Sequence, residues 1–337
     1  MGAAGVDRWL YPTHRGLFCE PGGFFVDPAR AVDRAVITHG HSDHARSGHG
    51  AVLATRETIE IMKTRMGSGC AGGFEPQALG EARDINGVAV RLIPAGHILG
   101  AAQVVLDWQG QRVIISGDYK RASDPTCAPF EVVTCDVFIT EATFALPVFR
   151  HEPAEAEVGR LLASIARQPE RAHLVGAYGL GKTQRVIKLC REAGYDKPIY
   201  LHGALVELCQ LYQRLGVDLG DLRPVTSDKT GDFAGALVLC PPSSVDDRWS
   251  RRFPDPVTAF ASGWMRIKGR IRQAGVELPL VISDHADWPE LLDTIVETGA
   301  EDVWVTHGRD DALVYQLGLM GRKARALSLV GFEDEGD

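Results

Sequence analysis

The 337-residue chain has no run of about 18 apolar residues, which argues against a membrane-spanning helix. Its opening residues, Met1 to Arg8, lack a basic segment followed by an apolar one, so no secretory signal is expected. No two cysteines are spaced as Cys-x-x-Cys. The seven cysteines, Cys19, Cys70, Cys127, Cys135, Cys190, Cys209 and Cys240, are scattered and odd in number. This argues against a disulfide framework and a cysteine zinc site, and it implies a reducing cytoplasm with no membrane partner. Each thiol reads as a small buried hydrophobe. Internal repeats and low-complexity tracts are missing too. So is a basic excess: the net charge of -8 argues against wholesale coating of nucleic acid, while leaving room for a local basic track.

The composition that remains is that of a globular protein, 45% hydrophobic and 24% charged, and the length predicts two domains or one domain with a large insertion. The first third reads as short strands that each end on a polar residue. Ala35–Thr38 runs into His39, Val88–Ile93 into Pro94-Ala95-Gly96-His97, and Val137–Thr140 into Glu141. Gln103–Asp107 and Arg112–Ser116 flank Trp108-Gln109-Gly110-Gln111, a hairpin pattern. From about Glu152 the texture changes to an α/β alternation. Helices are predicted at 155–168, 182–192 and 204–215, with strands at 173–177 and 235–240. After Gly263 the first texture returns, with a strand at 278–283, a helix at 288–298 and a strand at 302–306 that ends on His307. The expected architecture is α/β, with one discontinuous domain (1–150 and 262–337) and a second (151–261) inserted into it.

Of the eleven histidines, His39, His41, His44 and His49 fall within a short span directly after a strand. In His39-Gly40-His41-Ser42-Asp43-His44 the side chains cannot all point one way on a strand or helix, but on a loop they can converge. Neutral imidazole and carboxylate suit zinc, manganese or iron. His49 reads as a solvated surface residue. Further histidines and acids at strand ends, His97, Asp118 and His307, fit the same chemistry.

Filled in this order, the positions resemble the metallo-β-lactamase superfamily, an αββα sandwich. The resemblance implies that His39, His41 and His97 hold one divalent ion and that Asp43, His44 and His307 hold a second. Asp118 would bridge the two ions, zinc or manganese, and Asp27 would orient ligand histidines from behind. Three features resemble the β-CASP nuclease branch, which carries an inserted α/β domain. They are Glu141 in Phe138-Ile139-Thr140-Glu141-Ala142-Thr143, His285 in Ser283-Asp284-His285-Ala286-Asp287, and His307. In that branch two metals neutralise a phosphodiester and activate water. His285 would give the leaving oxygen its proton, with Glu141 orienting it, and Asp43 and Asp118 would serve at the reacting metals.

The compact length, the Ser-Asp-His-Ala-Asp run, Gly263-Trp264-Met265 and Gly176-Ala177-Tyr178-Gly179-Leu180-Gly181-Lys182-Thr183 resemble bacterial ligase-associated DNA exonucleases, which are Artemis-like. That implies a 5′-directed exonuclease on single-stranded DNA in DNA repair, partnered functionally with an ATP-dependent DNA ligase, a helicase and a metallophosphoesterase. His307 leans the other way, towards the RNA-processing members or towards a complete second metal site, although the ligase-associated subfamily that the chain resembles also keeps this His. A basic stretch bears Arg248, Arg251, Arg252, Arg266, Lys268, Arg270 and Arg272 against the single acid Asp255, a pattern that suits a phosphate-gripping track. The run from Gly176 to Thr183 also matches a nucleotide phosphate-binding loop, which makes an ATPase the second alternative. The competing expectation is that Lys182 meets a nucleic-acid phosphate. A nucleic-acid-binding pseudo-nuclease would require lost ligands, and none is lost.

Overall fold

The computed structural model describes residues 5–227 and 231–329. Along the chain come β1 (Leu10–Thr13), β2 (Gly16–Cys19), β3 (Phe24–Val26), β4 (Arg34–Val36), β5 (Ala51–Ala54) and α1 (Arg56–Met66), then β6 (Phe74–Pro76), β7 (Ala82–Ile85), β8 (Val88–Pro94), β9 (Ala102–Trp108), β10 (Gln111–Ile115) and β11 (Val137–Ala142). The middle contributes α2 (Ala154–Arg167), β12 (His173–Gly176), α3 (Lys182–Glu192), β13 (Ile199–Leu201), α4 (Gly203–Arg214), β14 (Leu222–Pro224), β15 (Leu237–Cys240), β16 (Val257–Ala261), α5 (Lys268–Ala274) and β17 (Leu278–Leu280). The last part adds α6 (Trp288–Glu297), β18 (Asp302–Gly308), α7 (Asp310–Leu319) and β19 (Lys323–Ala326).

Two compact units result. Of the described residues, 5–149 and 285–329 form the first, and Arg150–Asp284 form the second. The return to the first unit therefore falls at His285, later than the position 262 read from the sequence. The cause is strand pairing: β16 pairs with β17 in parallel, which keeps 262–284 with the second unit.

The first unit holds two sheets, ordered β1-β2-β3-β4-β5-β6 and β19-β18-β11-β10-β9-β8-β7. Alternation along the strands builds the layer between them. Val88, Val90 and Leu92 of β8, Val104 and Leu106 of β9, and Val113 and Ile115 of β10 share one core with Leu17, Val26, Val36 and Leu53 of the other sheet. Each such side chain contributes about 1.5–3 kcal/mol when fully buried. The outer face of the first sheet packs Ala35, Ile37, Val52 and Ala54 against Ile59 and Met62 of α1. On the second sheet, α7 packs against β18 and β19. The order helix, sheet, sheet, helix is the αββα sandwich. The predicted hairpin forms with Gln109 and Gly110 as its two turn residues, both at positive φ, and Trp108 opposite Gln111. A second hairpin turns at Asn86-Gly87, with Ile85 opposite Val88.

The second unit is one parallel sheet, β14-β13-β15-β12-β16-β17. Strands β12 and β15 are buried along their whole length, as parallel strands covered on both faces must be. All seven cysteines are free thiols, five of them buried. Among the described residues no helix is long and apolar enough to cross a membrane.

Candidate metal centre

The site grows from strand ends in the first unit. After β4 the backbone N–H of Thr38 donates to Asp27 Oδ1 at 2.8 Å, and its hydroxyl donates to Asp27 Oδ2 at 2.6 Å. The same Oδ2 lies 2.7 Å from His44 Nδ1. Asp27, almost wholly buried, thus fixes the His44 ring with Nε2 turned towards the other ligands. The loop that follows is steadied by α1, whose Arg65 guanidinium donates to the Gly40 carbonyl.

Three ring nitrogens and one carboxylate oxygen converge there. His39 Nε2 and His97 Nε2 each stand 3.1 Å from His41 Nδ1. Asp118 Oδ2 is 3.4 Å from His39 Nε2 and 3.8 Å from His97 Nε2. Four donors about 2.0–2.1 Å from a central tetrahedral ion would be about 3.3 Å apart, close to these separations. On the other side, Asp118 Oδ2 and Asp43 Oδ2 each lie 3.4 Å from His44 Nε2. Donor atoms of His39, Asp43 and His44 also fall within 4.8 Å of one another. Asp43 Oδ1 is buried without a hydrogen-bond partner, as expected of an atom kept for a cation.

Electrostatics point the same way. Burial, then the neighbouring His44, pushes the His39 imidazole down to about 4, although Asp118 opposes this. That leaves a neutral ring with a lone pair to offer. Burial also works against a charged His44, but Asp118, Asp43 and Asp27 outweigh it and hold the ring well above its ordinary value. The carboxylates Asp118 and Asp43 sit below the usual range because His44 overcomes their burial. A nest of acids that demands a positive charge at its centre is suited to a divalent ion.

His97 reaches the cluster because Gly96 allows it. Gly96 has φ +71, and any Cβ there would strike the Lys120 carbonyl oxygen. Strand β18 delivers His307 through an irregularity: the β11–β18 register shifts between Thr140 and Ala142, beside Glu141. His307 itself takes φ +55. Its ring stacks on His44 at 4.7 Å, and burial followed by His44 pushes it down to about 4. It stands at the edge of the site, outside the groups whose donor atoms lie within 4.8 Å.

Next to Asp118, His285 Nδ1 lies 3.0 and 3.1 Å from the two oxygens of the buried Glu141. Tyr119 locks this pair through its backbone, its N–H donating to Glu141 Oε1 at 2.8 Å and its carbonyl accepting from Ala286 N–H at 2.6 Å. Burial pushes the Glu141 carboxyl up, and the facing His285 pulls it back. The donor atoms of Asp118, Glu141 and His285 fall within 4.8 Å of one another.

Two sequence expectations need correction. His49 is buried, 1% exposed, with its carbonyl accepting from Gly72 N–H; the backbone bridge from His49 to Ala71 draws it inside. Lys182 is not open to a phosphate: it is 1% exposed, and its Nζ lies 2.5 Å from Asp284 Oδ1. The glycine-rich loop before it is filled by its own chain. Gly181 N–H donates to Gln184 Oε1, and Thr183 Oγ1 donates to the Tyr178 carbonyl. The seven basic residues of 248–272 are all exposed, and among the described residues none is in an ion pair; strand β16, with Val257, Ala259 and Ala261 buried, falls between Arg252 and Arg266. Thr38 and Tyr119 went unread as site residues. Their only sequence signal is that each adjoins a ligand, His39 or Asp118.

Comparison with known proteins agrees with this geometry. Residues 25–176 match the family model described as "Metallo-beta-lactamase superfamily". A "Probable DNA ligase" of Opitutus terrae is 27% identical over 89% of the chain and 29% of its own length. The "Endoribonuclease YSH1" of Eremothecium gossypii is 24% identical over 98% of the chain and 54% of its own length. The "Cleavage and polyadenylation specificity factor subunit 3-I" of Arabidopsis thaliana is 24% identical over 74% of the chain and 44% of its own length. The chain thus spans about a third to half of these relatives. A crystal structure titled as a protein of unknown function from Enterococcus faecalis V583 shares the fold, with TM-score 0.54 and 12% identity over 82% of this chain and 76% of that one. The family match covers the part of the chain that bears the His39–His44 run, His97 and Asp118.

Proposed function

We propose that this protein is a hydrolase that cuts phosphodiesters of nucleic acid at a centre of two divalent ions, zinc or manganese, and that its substrate is single-stranded DNA entered from the 5′ end. The observation that carries the reading is the His285–Glu141 pair beside the convergent cluster of His39, His41, His97 and Asp118. A thioester has a thiolate leaving group that departs with little help, whereas a phosphodiester's alkoxide needs a proton, and a positioned histidine gives one. In this reading Asp43, His44 and His307 form the second ligand set, Asp118 is shared, and Asp27 orients His44.

When bound, the ions supply charge neutralisation of the phosphate and activation of the attacking water. The protein's own groups do the rest. Glu141 keeps the hydrogen of His285 on Nδ1 and fixes the ring plane. Nε2 is then the atom that protonates the leaving oxygen as the P–O bond breaks and the water oxygen bonds to phosphorus. The proton released by the water restores the ring. The exposed bases of 248–272, none of them in an ion pair among the described residues, grip backbone phosphates. Association with an ATP-dependent DNA ligase and a helicase belongs to the same proposal; the Opitutus relative's name supports the ligase alone.

A second reading is favoured by the endoribonuclease relatives and by His307: cleavage of RNA. An ATPase is disfavoured, because Lys182, Gly181 N–H and Thr183 Oγ1 are already engaged within the chain. The deciding experiment offers purified protein DNA and RNA of one sequence, labelled at either end, with zinc or manganese and without ATP. Faster release from 5′-labelled single-stranded DNA is expected. Preference for RNA would move the protein to the second reading, and no cleavage of either would defeat both.

A further inference from the structure

The segment between β15 and β16 of the second unit carries Trp249, half-buried, and the exposed Arg248, Arg251 and Arg252. A tight turn fixes it. Asp247 Oδ1 accepts from the backbone N–H of Trp249 at 2.6 Å and of Ser250 at 3.2 Å, and the Ser250 hydroxyl donates to the Asp247 carbonyl at 2.9 Å. The indole packs against the core that holds Leu174, Val238 and Phe253. His202, just past β13, meets its ring at 4.6 Å and 66°. This imidazole accepts from Ala204 N–H at 3.0 Å, and burial holds it below its ordinary value, so at neutral pH it is an uncharged ring.

Core packing accounts for the indole but not for what lies over it. Arg252 Nε donates to the Trp249 carbonyl at 2.9 Å, and its guanidinium carbon stands 5.1 Å from the centre of the indole. Among the described residues no carboxylate pairs with Arg248, Arg251 or Arg252. Asp247 is turned onto its own backbone and Asp255 onto Arg171, so of the acids in this segment only Asp246 is left to offset three arginines. A planar cation fixed over a planar ring offers a π-surface with N–H donors along its edge. That combination fits a nucleobase and its phosphate, whereas an acidic peptide would satisfy the arginines and leave the stack uncovered. We infer that Trp249 and Arg252 form a stacking platform for one base of a single strand, with Arg248 and Arg251 on the flanking phosphates. This rests on the nucleic-acid substrate proposed above. It adds a reason for single strands, because a duplex hides the faces of its bases, and it makes no distinction between deoxyribose and ribose.

The test uses the full-length, zinc-loaded protein with phosphorothioate-linked single strands of DNA and RNA of one sequence, which are held and resist cutting, and with inorganic polyphosphate. Leucine keeps the apolar cover of the core but has no π-face. Trp249→Leu should therefore raise Kd for either strand at least about fivefold and leave Kd for polyphosphate unchanged. Tryptophan fluorescence gives a second reading. Binding of a strand should quench the wild type, and Trp249→Phe should lose most of that quench while binding within about twofold of wild type, since phenylalanine still stacks. Equal losses on strand and polyphosphate, an unchanged Kd in Trp249→Leu, or an undiminished quench in Trp249→Phe would overturn the inference. Should Trp249→Leu fail to fold, the quench in Trp249→Phe decides. A protein that cuts unmodified strands but keeps its affinity in Trp249→Leu sinks the platform alone. One that binds strands through Trp249 and cuts nothing sinks the nuclease reading alone.

Discussion

At the residue scale, the candidate ligands lie at or just past the ends of strands, so the chemistry should be separable from the fold. His39→Ala and Asp43→Ala are expected to lose nuclease activity and metal while keeping the native circular dichroism spectrum. Full activity of a variant with one ligand removed would refute the assignment. His285→Ala should retain both ions and slow single-turnover cleavage about a hundredfold or more. Loss of metal from that variant would make His285 a ligand instead. The convergent run was legible because His39, His41, Asp43 and His44 are close in sequence and follow an apolar strand. Lys182 was misread for the converse reason. Its partner, Asp284, is 102 residues away, and nothing local distinguishes a lysine aimed at a phosphate from one aimed at a carboxylate. His49 was misread because its burial comes from a backbone bridge to Ala71, which no hydrophobic pattern announces.

At the element scale, the strands that carry the site were readable from alternation, but the helix that braces it was not. Helix α1 starts at a Thr55 cap, whose side chain accepts from Thr58 N–H at 3.2 Å, and buries Ile59 and Met62 three residues apart. That signal was present, yet the surrounding short strands masked it. The Asn86-Gly87 hairpin likewise went unread, although its dipeptide marks such a turn. Two substitutions probe the elements. Asp287→Ala removes one half of the α6 capping box and should cost about 1 kcal/mol in thermal or urea unfolding. Gly308→Ala meets φ +90 and the Ala142 carbonyl oxygen, so it should destabilise by more than about 1 kcal/mol and disturb the bulge that presents His307. An unchanged unfolding midpoint would show that the bulge relaxes freely.

For the whole molecule, sequence texture showed that one α/β segment interrupts another, while the return point was obscured because β16 and β17 join a sheet whose earlier strands lie far upstream. The exposed bases of 248–272 predict a salt dependence. Rates on single strands should fall with ionic strength, and Arg251→Ala with Arg252→Ala should flatten the log–log slope by about 0.7 per lost phosphate contact. A slope unchanged in the double variant would remove these arginines from the binding track. The β11–β18 pairing has a consequence for the protein's birth. Strand β11 is complete at Ala142, and its neighbour β18 begins only at Asp302, with the whole second unit translated in between. At about 5–20 residues per second a ribosome needs on the order of ten to thirty seconds to cover that gap. Through that interval β11 is an open sheet edge, and Glu141 waits without His285 or His307. A nascent chain can therefore shape its first histidine loop long before β18 arrives to close the candidate site.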